Sequence, residues 1–248
     1  MDNLYDAIEN MALLYKMSKD VDYSKHPIKK LPMIKSDGIT LTGEFFRKIS
    51  NNDQKIFSAL KRYIYSMKEV PWIEGGVYFN QHNDVRLLVP TQNNAFATSV
   101  LVHECTHALD IEHFIELDKD STYVEILPFL NQFLFIDSLK EFYDIEELKS
   151  SYMDYMIYNN LLYNTNAYAN YADKEEIDYD SIQTHFKYML GSLYSIVLYE
   201  WAQNDKDFMD NYSKIYTRES TLKSLLDYYE IKSDDIDNIK LIHSLMKK

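Results

Sequence analysis

The run Val100-Leu-Val-His-Glu-Cys-Thr-His-Ala-Leu109 constrains this chain more than any other stretch. Glu104 is its only acidic residue and no Lys or Arg enters it, so the segment is built to be buried. On a helix, His103 and His107 stand four residues apart and point within about 40° of each other, so both imidazoles can grip one metal ion. Glu104 lies beside them, and a buried carboxylate between two histidines is costly unless a cation neutralises it. Any fold of this chain must therefore bury a helix and bring a metal to it. Cys105 falls about 200° from His103 on the helical wheel, so it should face the core and not the metal.

The remaining sequence favours helices. Five Gly and five Pro in 248 residues leave few breakers, and 46% hydrophobic residues suffice for a substantial core. This predicts a mainly α protein. The net charge of −13 argues against nucleic acid and against an anionic membrane surface as partners. A single cysteine rules out an internal disulfide and suits a reducing compartment. Asp2, Asp6 and Glu9 stand where a signal peptide would be basic, and no apolar run approaches about 20 residues. The expectation is a cytoplasmic protein that does not enter a membrane.

Helical periodicity is expected over Asp2–Met17, over Thr42–Lys68 with a break at Ser50–Asp53, and from about Ala95 to Leu117. Further helices are expected at Tyr123–Leu139, Ile145–Tyr163, Tyr179–Gln203, Lys206–Tyr216, Ser220–Tyr229 and Asp234–Lys247. Val21–Thr40, with two prolines and Ser36-Asp37-Gly38, reads as a loop. The clear strand signal is Val77–Phe79 and Val85–Val89 around a polar turn, a β-hairpin just before the histidine helix. The division expected is a short helical segment, 1–69, followed by one larger unit, 70–248.

His103-Glu104-Cys105-Thr106-His107 has the HExxH spacing of zinc peptidase helices. Two histidines need a third protein ligand, with the fourth position left for water. Glu125, in Thr122-Tyr-Val-Glu-Ile-Leu-Pro128, is an isolated acid among apolar neighbours and can reach the metal from the next helix. His113 is the alternative, six residues after His107. It would give a metzincin-like site, but only through a sharp turn near Asp110, where that arrangement uses glycine. If the helix continues instead, His113 is carried about 9 Å along the axis.

With these motifs in place, the chain resembles the thimet oligopeptidase and oligoendopeptidase F family of zinc peptidases over roughly Val70–Lys247. Gly75-Gly76-Val77-Tyr78 with Val85–Pro90 resembles the strand pair before that family's metal helix. Tyr123-Val-Glu-Ile-Leu-Pro128 resembles its F-V-E-x-P segment, with the proline one place later, and Lys187-Tyr-Met-Leu-Gly191 resembles its K-Y-A-T-G run. Ser220–Asp235 resembles the segment that closes the catalytic domain. The resemblance implies a zincin-like helical metallopeptidase catalytic domain holding one Zn²⁺ on His103, His107 and Glu125. It implies hydrolysis of short peptides, with Glu104 as general base towards a zinc-bound water and Tyr188 and His185 as donors to the oxyanion. The family's large amino-terminal wall has no counterpart in the roughly 70 residues before Val70, which leaves a place for a partner or a second copy to complete the channel. The alternative outside this reaction class is a non-catalytic, zinc-containing binding or regulatory module.

Overall fold

The computed structural model describes residues 12–50, 54–71, 75–79, 85–116, 124–172, 179–215 and 236–246. The protein is mainly helical with one small sheet. Helix α1 includes residues 12–18, followed by α2 (Lys35–Ile49) and α3 (Gln54–Tyr65). Strands β1 (Lys68–Val70), β2 (Gly76–Phe79) and β3 (Val85–Pro90) lead to α4 (Ala95–Glu116), which carries His103 and His107. Then come α5 (Ile126–Ser138), α6 (Glu146–Asp154), a π-helical segment Tyr155–Leu162, α7 (Tyr163–Ala172), α8 (Tyr179–Asn204), α9 (Phe208–Ile215) and α10 (Ile236–Leu245). No helix among the described residues is long and apolar enough to cross a membrane.

The β2–β3 pair is antiparallel with Val77 opposite Leu87, as the alternating pattern predicts. Its turn lies outside the described residues. Strand β1 was not anticipated: Met67 and Lys68 read as the end of a helix, yet Lys68–Val70 pairs in parallel with Leu88–Pro90. Three residues carry too little periodicity to signal a strand, and the pairing is non-local. The result is a three-stranded sheet of order β1-β3-β2 against α4, whose inward residues Leu87 and Val89 are buried.

Helix α5 forms the centre of the molecule. Every residue from Ile126 to Ile136 is buried, including the amides Asn131 and Gln132. A helix apolar on all sides needs neighbours on all sides, and α5 packs between α4 and α8 with α6 alongside. The hydrophobic cluster built on it extends from Leu14 in α1 to Ile242 in α10.

Two boundaries differ from expectation. The helix read as starting at Thr42 begins at Lys35, so part of the expected loop Val21–Thr40 is helical. Gly38 misled the reading: it lies inside α2 because a Cβ there would stand 2.6 Å from Thr98 Oγ1 on α4. Glycine serves close approach here, not a turn. The helix expected to stop at Tyr163 runs on to Ala172 through the π-helical segment, where the Tyr163 N–H reaches Tyr158 O, five residues back. Residues 2–11 of the helix expected at Asp2–Met17, and the whole of the one expected at Ser220–Tyr229, lie outside the described residues.

Candidate metal centre

The histidines come from the middle of α4. His103 and Glu104 are buried, Cys105 is fully buried on the core side, and His107 is half-buried. Glu125 does not sit on a helix, as the sequence suggested, but in the turn just before α5, at φ −89° and ψ −9°. Pro128 explains the offset, because proline is favoured in the first turn of a helix, where its missing N–H costs nothing. That turn aims the carboxylate at α4. Glu125 Oε2 lies 3.2 Å from His103 Nε2 and 3.3 Å from His107 Nε2. The two Nε2 atoms lie 3.1 Å apart.

These distances fit a bound metal ion. The three donor atoms form a nearly equilateral triangle, and tetrahedral bonds of about 2.0–2.1 Å would hold ligand atoms about 3.3 Å apart. Glu125 Oε2 is buried and has no hydrogen-bond partner, although both imidazole nitrogens face it. A cation satisfies all three groups at once, and a buried oxygen without a partner otherwise costs about 1–3 kcal/mol. The group His103, His107 and Glu125 could therefore hold a metal ion. Backbone helicity continues through Glu116, so the turn that would return His113 to this point is absent. The side chains of Asp110, Glu112 and His113 lie outside the described residues.

Electrostatics separate the two carboxylates. Burial pushes the Glu104 carboxyl above its usual range, and the neighbouring imidazoles pull against this. Burial acts on Glu125 in the same sense, yet the adjacent His107 and His103 hold it well below the usual carboxylate range. The two carboxylates are thus shifted in opposite directions.

Several supporting residues carried no sequence signal specific enough to single them out. Gln132 Oε1 accepts from His103 Nδ1 at 3.0 Å, and Gln132 Nε2 donates to Ser99 Oγ at 3.2 Å. A hydrogen bond on the distal nitrogen fixes the ring orientation and the tautomer that leaves Nε2 for metal. The available hint was a pair of amides, Asn131-Gln132, inside an otherwise apolar run. Gly191 on α8 permits the approach to Glu125: an added Cβ would stand 2.4 Å from Glu125 Cβ. Gly75 does the same over Glu104, with an added Cβ 2.5 Å from its Oε1.

A cleft of about 270 Å³ opens beside the triad, lined by His103, Glu104, Gly75, Tyr188, His185 and residues of the π-helical segment. Tyr188 is partly exposed there, its ring 6.1 Å from Phe129. His185 lies in the same cleft, half-buried, with Nδ1 2.8 Å from Asn164 Oδ1. Tyr194 and Tyr199 are buried, and Tyr199 donates to Asp137 at 2.8 Å. No family model matches this chain, and no curated protein or solved structure matches it either.

Proposed function

We propose that this protein is a zinc-dependent peptidase acting on short peptides. The observation that carries this reading is the convergence of His103, His107 and Glu125 on one point, with Glu104 beside it at the floor of an open cleft. Zinc bound there would act as a Lewis acid and lower the pKa of a coordinated water towards about 7. Glu104, raised by burial, accepts the proton of the attacking water and returns it to the leaving amine. Gly75 lies against its side chain, where even a methyl group would not fit. Tyr188 supplies a phenolic donor from α8 on the cleft surface.

The acid beside the metal ligands supports catalysis over a purely structural metal site, which needs no general base. The continuous α4 backbone supports Glu125 over His113 as third ligand.

The test is metal content and cleavage of a quenched peptide library by wild type, Glu104→Gln, Glu125→Ala and His113→Ala. The expected result is one zinc per chain, lost in Glu125→Ala and kept in His113→Ala. Glu104→Gln should keep zinc and lose activity by about 10²–10⁴-fold. Stoichiometric zinc without cleavage of any peptide would overturn the peptidase reading in favour of a binding module.

A further inference from the structure

The cleft wall made by the π-helical segment and α7 has a consistent hydrogen-bonding polarity. Asn159 Nδ2 donates to His26 O at 2.8 Å, and Asn160 Nδ2 lies 3.2 Å from Met156 Sδ. Asn164 Nδ2 donates to Asn160 O at 2.7 Å. A carbonyl oxygen cannot donate, so the Asn164 group facing it must be the NH₂, which leaves Oδ1 for His185. Oδ1 cannot donate either, so His185 Nδ1 must carry the proton in that 2.8 Å contact. With the proton on Nδ1, the neutral ring presents Nε2 as an acceptor, and burial lowers the His185 pKa in the same sense. Each of these amides, and the imidazole, thus spends one donor inside the protein, and the same contacts leave Asn159 Oδ1, Asn160 Oδ1 and His185 Nε2 as acceptors on residues that line the cleft.

The π-helical turn makes this arrangement possible. An α-helix would separate Asn159 from Asn164 by about 140°, whereas both line the cleft here. Tyr171 stacks on the His185 ring at 5.4 Å, and Tyr163 meets it edge-on at 6.3 Å. Tyr163 is itself exposed in the cleft, so an aromatic face stands next to the acceptors. The described residues lining the cleft include no Lys or Arg.

A wall of acceptors with an aromatic face matches a ligand that carries several donors and positive charge. We propose that Asn159, Asn160, His185 and Tyr163 form a subsite for a basic side chain of the substrate, lysine or arginine. This rests on the peptidase reading for the word substrate, but the binding chemistry stands apart from cleavage. An acidic side chain would meet no Lys or Arg among the described lining residues and would be disfavoured.

The test uses zinc-loaded protein and three acetylated, amidated pentapeptide series, with Lys, norleucine or Glu at one position and Ala elsewhere, moved through every position. Binding is measured calorimetrically on Glu104→Gln and cleavage on wild type. At one position Lys should exceed norleucine by about tenfold, with Glu weakest. The Lys-to-norleucine ratio should fall towards one in Asn159→Leu. ¹⁵N chemical shifts of His185 should report protonation at Nδ1, a signature that a merely structural histidine need not show. Equal binding of Lys and norleucine throughout, no binding of the Lys peptides, or His185 protonated at Nε2 would each overturn the subsite. Cleavage without Lys preference would overturn it and leave the peptidase intact. Lys preference in binding without cleavage would uphold it and overturn the peptidase.

Discussion

Gly191 and Gln132 hold Glu125 and His103 in place. Gly191→Ala would drive a methyl into Glu125 Cβ and the Glu125 backbone carbon, and neither can yield as a flexible chain end could. Zinc affinity should fall in this variant, read by competition with a chromogenic chelator, while Gly191→Ser should be no better. Gln132→Leu removes the partner of His103 Nδ1, and zinc affinity should drop by about 10–100-fold with the helical content unchanged. Tyr152 offers a contrasting residue. Its hydroxyl is buried with no hydrogen-bond partner, so Tyr152→Phe removes a group whose burial costs about 1–3 kcal/mol when unpaired. The variant should be as stable as wild type or more so, measured by the urea midpoint; a clear loss would mean the hydroxyl has a partner.

Among the elements, α5 is tied to its neighbours by two sets of polar contacts, one near its middle and the other at its C-terminal end. Asn131 Nδ2 donates to Thr106 Oγ1 on α4 at 3.0 Å, and Asn131 Oδ1 accepts from Tyr212 on α9 at 2.8 Å. Asn131→Ala removes both contacts, while Thr106 Oγ1 keeps its bond to Val102 O, and should cost about 1–3 kcal/mol in chemical denaturation. At the C-terminal end Asp137 accepts from Tyr199 and Gln203 on α8 and pairs with Lys149 on α6 at 2.9 Å. Burial, then the Asp137 charge, raises the Tyr199 phenol far above its ordinary value. In the unfolded chain that phenol titrates near about pH 10. Its contribution to stability is therefore full below about pH 10 and is lost as pH rises further. The melting temperature should fall between about pH 10 and pH 11, less steeply in Tyr199→Phe. Tyr152, raised by burial in the same way, accounts for part of the fall that remains.

For the molecule as a whole, a metal held at this centre would be coupled to folding. The triad joins α4 to the turn before α5, and α8 closes over that turn through Gly191. Zinc at about 100 times its dissociation constant should add about 2.7 kcal/mol to stability, seen as a rise in melting temperature that chelator reverses. The rise should be absent in Glu125→Ala.

The sequence alone determined a helix that had to be buried with His103, Glu104 and His107 on one side, because 3.6-residue periodicity and an apolar frame are local properties. It also determined the β2–β3 pair, since alternation survives in five or six residues. Glu125 was legible as an isolated acid among apolar residues, but its place in a turn was not, because Pro128 and the neighbouring α8 decide where α5 begins. Gly38, Gly75 and Gly191 read as turns or as a motif letter, whereas the folded chain needs them to let side chains and helices approach. The Gln132 contact, the π-helical turn and the resulting acceptor wall depend on what lies across the cleft. Such roles are properties of distance between segments far apart in the chain, so only the tertiary structure could decide them.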